Sequence, residues 1–260
     1  MVLLGADFSA GLRHLLYQPS NPTGPWRATG IFIVLVLVNQ LVLQGIFGAA
    51  IAAFGASDYL SFQEGRPRGA LLSILPAGLL TACLAWFLAR QRGADPKKVL
   101  ALHVPALGLI GWAAIIAGFL ITMNFLINVL VWVFGLDLTS TGMVEQMVMQ
   151  MSDDPLYLLI AGGLIIGAPL AEELIFRGQI FAALSQTPIG IVGTSVLTSA
   201  LWAAMHATTQ PPPYVIGLLF LMGLVLCWLL VRFGSLWVTI ACHAAWNSVQ
   251  AIALYLLAQQ

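Results

Sequence analysis

The sequence predicts an all-α fold, a polytopic bundle of about seven transmembrane helices, and three observations lead there. Only 8% of the 260 residues are Asp, Glu, Lys or Arg, against about 25% in a typical soluble protein. Hydrophobic residues make up 60%, and mean hydropathy is +0.95. A bilayer core needs about 20 consecutive apolar residues in a helix, and seven stretches supply them. Twenty charged side chains, ten of each sign, cannot clothe a soluble globule of this size. With no basic excess, nucleic-acid binding is excluded as well, and the lipid bilayer is the expected surrounding.

The spans are, in order, Thr29 to Phe54, Ala70 to Ala89, Val104 to Phe134, Leu156 to Leu184, Ile189 to Ala207, Tyr214 to Val231 and Ser235 to Ala258. The third exceeds what a bilayer requires, and Pro105 with three internal glycines predicts tilt or a break. The fourth is also long. By organisation the chain divides into an N-terminal cytoplasmic segment 1–28, accessory helices and loops 29–155, and a helical part 156–260 that carries the chemistry. The N-terminal stretch lacks a charged start, a short apolar core and a small-residue cleavage site, and is read as retained. Cys83, Cys227 and Cys242 lie singly inside apolar runs and predict neither a disulfide framework nor a zinc knuckle.

Loop charges orient the bundle, because Lys and Arg accumulate on the cytoplasmic side. With the N-terminus inside, the inner segments hold Arg13, Arg27, Arg90, Arg92, Lys97, Lys98 and Arg232, and the outer ones only Arg66 and Arg68. The outer segment Gly135 to Pro155 has no basic residue and carries Asp137, Glu145, Asp153 and Asp154. Within it, GMVEQMVMQM reads either as a short interfacial helix or as methionine filler on the bundle. The chain is therefore expected to be a multi-pass integral membrane protein, in the inner membrane if the source is bacterial.

Arg177 is the one basic residue deep inside a span, and it shares Ala171-Glu172-Glu173-Leu174-Ile175-Phe176-Arg177 with two acids. A charge at the centre of a span costs about 2.5 to 3.5 kcal/mol even on the gentlest scale, so such a cluster needs partners and a reason. Glu173 and Arg177 are four apart with the acid first, the better order for an ion pair on one helical face. Glu172 is rotated about 100° from Glu173 and has no partner on its own helix. It is the candidate general base. The plain alternative is one buried network that locks two helices together.

Two of the four histidines lie deep in spans, His206 on the fifth and His243 on the seventh, with Asn247 one turn beyond His243 on the same face. A lone intramembrane His is usually an interhelical hydrogen-bonder. Here three helices together offer a carboxylate, an imidazole, and an imidazole with an amide, the parts of a water-activating hydrolase. His14 and His103 fall outside the spans or at their edges.

Glu172-Glu173-xxx-Arg177, Trp202-xxx-His206 and His243-xxx-Asn247 resemble the three ordered motifs of the CPBP family, which contains the type II CAAX prenyl endopeptidases and bacteriocin-processing relatives. The resemblance runs from about Leu156 to the C-terminus. It departs at Trp202, where the family usually has Phe, an exchange of aromatics that should preserve packing. The resemblance implies an intramembrane endopeptidase acting on a membrane-embedded or membrane-associated peptide. Glu172 would be the general base, acting with His206 on the attacking water, His243 and Asn247 would stabilise the oxyanion, and Glu173, Arg177 and Trp202 would support the site.

Two chemistries remain open by spacing. No cofactor is required if the carboxylate acts alone; with zinc, Glu172, His206 and His243 would supply three protein ligands and water the fourth. The lack of HExxH favours the metal-free form. Gly193-Thr194-Ser195-Val196 is not a rhomboid-type GxSG, and no aspartate falls within a span, which removes the presenilin-like design. A non-catalytic scaffold or immunity protein is the rival reading. A proton-coupled transporter is a weaker one, since no internal repeat is present.

Depth raises one conflict. At about 1.5 Å per residue, Glu172, His206 and His243 lie roughly 18, 25 and 12 Å from the inner ends of their spans, a spread of roughly 13 Å if the helices start level. Elsewhere, Asn124 with Asn128 and Gln40 with Gln44 form polar stripes expected to bond neighbouring helices. Gly163 and Gly167 permit close backbone approach, and Pro211-Pro212-Pro213 reads as a rigid outer loop.

Overall fold

A computed structural model describes residues 17–53, 68–136, 142–209 and 211–260. Nine helices form the chain there, and seven are long and apolar enough to cross a membrane. Helix α1 begins at Pro25, widens to a π-helical stretch over Val38–Leu43 and ends in Gln44–Ala53; α2 is Arg68–Ala89, the short α3 Pro96–Val99, and α4 Gly108–Phe134. Helix α5 is Met143–Gln150, α6 runs from Tyr157 to Leu184, α7 is Gly190–His206, α8 Pro213–Phe233 and α9 Leu236–Ala258. The expected all-helical, multi-pass architecture is borne out.

Local chemistry explains where several helices begin and stop. Pro25 and Pro213 occupy the first turns of α1 and α8, where a missing N–H costs nothing. Asp95 caps α3 by accepting from the Lys97 N–H. Gly135 and Gly234 close α4 and α8 in the left-handed conformation. The third span starts later than expected: residues 102–107, Pro105 among them, are not helical, and α4 then runs unbroken for 27 residues. The break therefore precedes the helix instead of interrupting it.

Helix α6 is the centre of the bundle. It packs against α1, α2, α7 and α9 and is among the more buried of the seven long helices, whereas α4 is mostly exposed. Its α-helical turn Ala168–Glu173, which carries both glutamates, is framed by π-helical stretches at Gly163–Gly167 and Leu174–Ile180. The first has an identifiable cause. Pro169 cannot donate to the carbonyl of Ile165 and its ring would press on that oxygen, and a wider turn relieves the clash.

The close approach read from Gly163 and Gly167 is made to α2, and its partner is Gly78. A Cβ on Gly78 would lie 2.2 Å from the Gly167 carbonyl oxygen, and one on Gly167 would lie 2.8 Å from Leu75 Cα. Backbone meets backbone there, as small residues allow in membrane helix pairs. In the methionine-rich segment α5 is a short helix, and Val148 and Met151 bury themselves with Leu71 and Ile160, as the reading of packing on the bundle expects. The polar stripes divide. Gln40 and Gln44 both donate to Asn39 Oδ1, and Asn39 reaches α2 through Thr81, whereas Asn128 bonds the Asn124 carbonyl of its own helix.

One end of the bundle is laced by irregular chain. The Tyr17 N–H donates to the Val231 carbonyl, Asn21 donates to the Gln179 carbonyl, and Gln186 donates to the Asn21 carbonyl. Burial of the Tyr17 side chain against Phe181 pushes its phenol above the ordinary tyrosine range. The loop after α3 is tied to the turn before α9, with Ser235 Oγ donating to the His103 carbonyl and the Leu236 N–H to Ala101. Arg27, Arg90, Arg92, Lys97, Lys98 and Arg232 all belong to this end, and Arg68 starts α2 at the other. Arg13, Arg66 and Asp137 lie outside the described residues.

Candidate active site

The site is assembled on α6, α7 and α9, and it has two layers. The buried layer is a trio. Glu173 Oε1 accepts from Arg177 Nη1 at 3.1 Å and from His243 Nδ1 at 3.0 Å. The Glu173 and Arg177 side chains are fully buried, and that of His243 is 4% exposed. The ion pair expected from the four-residue spacing is present, and His243 has joined it from a different helix. Arg177 Nε and Nη2 have no hydrogen-bond acceptor among the described residues. The guanidinium instead lies 4.6 Å from the centre of the Trp202 ring, a cation–π contact worth about 2 kcal/mol when desolvated.

The second layer is accessible. The side chains of Glu172 and His206 are 24% and 29% exposed, so substrate or water can reach them, and Nε2 of His206 stands 4.0 Å from Glu172 Oε2. The Trp202 indole N–H donates to that same Oε2 at 2.6 Å. His206 Nδ1 lies 2.8 Å from the Trp202 carbonyl, and a carbonyl can only accept, so Nδ1 carries the proton. In the neutral ring Nε2 then has a lone pair, aimed at the carboxylate.

Trp202 joins the layers. It is 1% exposed, and its ring meets the edges of His206 and His243 at centroid distances of 5.0 and 5.4 Å. Read from the sequence, Trp202 is a packing aromatic; the structure adds an N–H donor to Glu172. The available signal was its position one helical turn before His206, which puts both on the face that looks at α6. Asn247 bonds elsewhere in this arrangement, donating to the Leu164 carbonyl of the first π-helical stretch of α6 at 2.8 Å, and keeps a second amide N–H. Glu172, Trp202 and His206 thus stand together, and His243 stands behind them.

The expected 13 Å spread in depth is corrected by these contacts, because helices that start at different levels and include wider π turns bring unequal residue counts to one height. Zinc fits less well. His243 is turned to Glu173 and not to Glu172, the Glu172 carboxylate is held by an indole, and no three His, Cys, Asp or Glu among the described residues stand where one ion could be held.

These features define a class: a multi-pass integral membrane protein with an ionised cluster sealed in its core and a carboxylate–imidazole pair open beside it. Residues 154–249 match the family model described as type II CAAX prenyl endopeptidase Rce1-like. The match bears out the motif resemblance and covers all seven site positions, and the family is of the CAAX-protease type. No curated protein and no solved structure matches the chain.

Proposed function

We propose that this chain is an intramembrane endopeptidase, hydrolysing a peptide bond of a membrane-associated protein or peptide with water activated by Glu172 and His206. The observation that carries this reading is the 4.0 Å gap between Glu172 Oε2 and His206 Nε2. Both atoms are acceptors. The gap exceeds a direct hydrogen bond, and one water can span it by donating a proton to each. Such a water turns its own lone pairs outward, towards a scissile carbonyl.

Glu172 takes a proton as the water oxygen adds to the carbonyl carbon. The C–N bond then breaks while that proton passes to the departing nitrogen, leaving a carboxyl and an amine. His243 and Asn247 are the proposed oxyanion donors. His243 spends Nδ1–H on Glu173, so it donates from Nε2 only as an imidazolium. The helices of 156–260 are proposed as the catalytic part and those of 29–155 as its accessory frame.

The test is a quenched-fluorescent peptide library offered to purified protein in detergent or lipid, with C-terminally prenylated peptides included because the matched family is described as a prenyl endopeptidase. Cleavage by wild type should fall by about 10²- to 10⁴-fold in Glu172→Ala and His206→Ala. Wild type that cleaves nothing, or variants that cleave equally well, would sink the reading and favour a scaffold. Hydrolysis should also survive exhaustive chelation, since no metal is required; its loss, with recovery on adding zinc, would reverse that part.

A further inference from the structure

Trp202 touches four of the five ionisable groups of the site, all but Glu173. Its N–H bonds Glu172, its face carries Arg177, and its ring makes T-shaped contacts with His206 and His243. Glu172 has no other hydrogen-bond donor within its own helix, and at 24% exposure its carboxylate would otherwise be free to rotate. The indole cannot swing aside, since it is 1% exposed and wedged between a guanidinium and two imidazoles. A phenylalanine in the same place would keep an aromatic ring, leave part of the indole's space empty and provide no donor.

We infer that Trp202 is a positioning residue for Glu172: its indole N–H holds one lone pair of Oε2, and so turns the remaining carboxylate lone pairs towards the water shared with His206. The same residue serves His206 by a second route, because the Trp202 carbonyl accepts from Nδ1–H and, in the neutral ring, leaves Nε2 as the acceptor. One residue therefore sets both acceptors that face the water, Glu172 through its side chain and His206 through its backbone. A substitution at position 202 separates the two, since it removes the indole and keeps the carbonyl.

This rests on the endopeptidase reading, and the experiment distinguishes the failure of each. On a peptide that wild type cleaves, Trp202→Phe should lower kcat by about 10- to 100-fold, the worth of a hydrogen bond to a charged group. KM should stay unchanged, and the thermal midpoint should fall somewhat, because the smaller ring leaves a cavity and a poorer surface for Arg177. A residue needed only for packing would lower the midpoint and the folded yield without lowering kcat of the protein that folds. The bond is also read without turnover. In protein labelled with ¹⁵N-tryptophan, one of the eight indole N–H signals, assigned by its absence from Trp202→Phe, should lie well downfield and return upfield in Glu172→Ala.

Trp202→Phe that cleaves as fast as wild type overturns the positioning role and leaves the peptidase standing. If none of the eight indole signals moves between wild type and Glu172→Ala, that overturns it too, even if Trp202→Phe does not fold, because this comparison needs no assignment. Wild type that cleaves no peptide, with an indole signal that does respond, removes the peptidase reading and the positioning role while the bond remains.

Discussion

At the scale of single residues, the two glutamates divide the work by accessibility. Glu173 is sealed between a guanidinium and an imidazole, and removing one partner strands a buried charge. Arg177→Ala should therefore cost about 3 to 5 kcal/mol of stability, read as a lower thermal midpoint in detergent. Arg177→Lys should recover only part of it, because an ammonium cannot both bond Glu173 and lie flat on the Trp202 ring. Glu172→Gln should leave the midpoint close to wild type, since this side chain is part-exposed and keeps an acceptor for the indole, while hydrolysis is lost. A midpoint that falls equally in both variants would contradict the division. The Glu173–Arg177 pair was legible from its spacing; the bond from His243 to Glu173 was not, because residues 70 positions apart have no spacing rule to announce them.

At the scale of helices, the crossing of α2 and α6 positions the glutamate turn. Gly78 and Gly167 touch through backbone, so a methyl group there must push the helices apart, at about 1 to 3 kcal/mol or more. Gly78→Ala should reduce the folded, monodisperse yield and the thermal midpoint, and activity should fall with them as α6 shifts. Gly118→Ala on α4, with nothing within 4 Å of the added Cβ, should change neither; equal losses in the two would mean that the crossing is not tight. Seven spans could be read from length and hydropathy, with ends displaced by a few residues. The π-helical stretches could not, since a single wide turn leaves no mark on a hydropathy profile.

At the scale of the whole molecule, charge and site occupy different levels. Six basic residues, Arg27, Arg90, Arg92, Lys97, Lys98 and Arg232, gather at the end where α1 begins and α8 finishes, which is expected to face the cytoplasm. His206 is the last residue of α7 and so stands at the opposite end of that helix, whereas Glu172 lies about midway along α6. A periplasm-dependent reporter such as alkaline phosphatase, fused after Gln260, should be active, and one fused in the loop after Ala89 inactive. The reverse pattern would invert the orientation and make the site open to the cytoplasm. Either way, substrate should reach Glu172 from the end that carries the loop between α7 and α8.

Composition and spacing alone decide that this chain lives in a bilayer, how many times it crosses, and which few polar residues are too costly there to be idle. Those are local properties: hydrophobic run length, and the price of burying charge at a known position on a helix. Only packing decides partners and levels. The sequence-level pairing of His243 with Asn247 becomes a bond to Glu173 for one and to the Leu164 carbonyl for the other, and Trp202, expected to support the site by packing, is also a hydrogen-bond donor to Glu172. The reason is geometric: a 4 Å contact depends on where each helix starts, how it tilts and where it widens, and none of these is written in a single span.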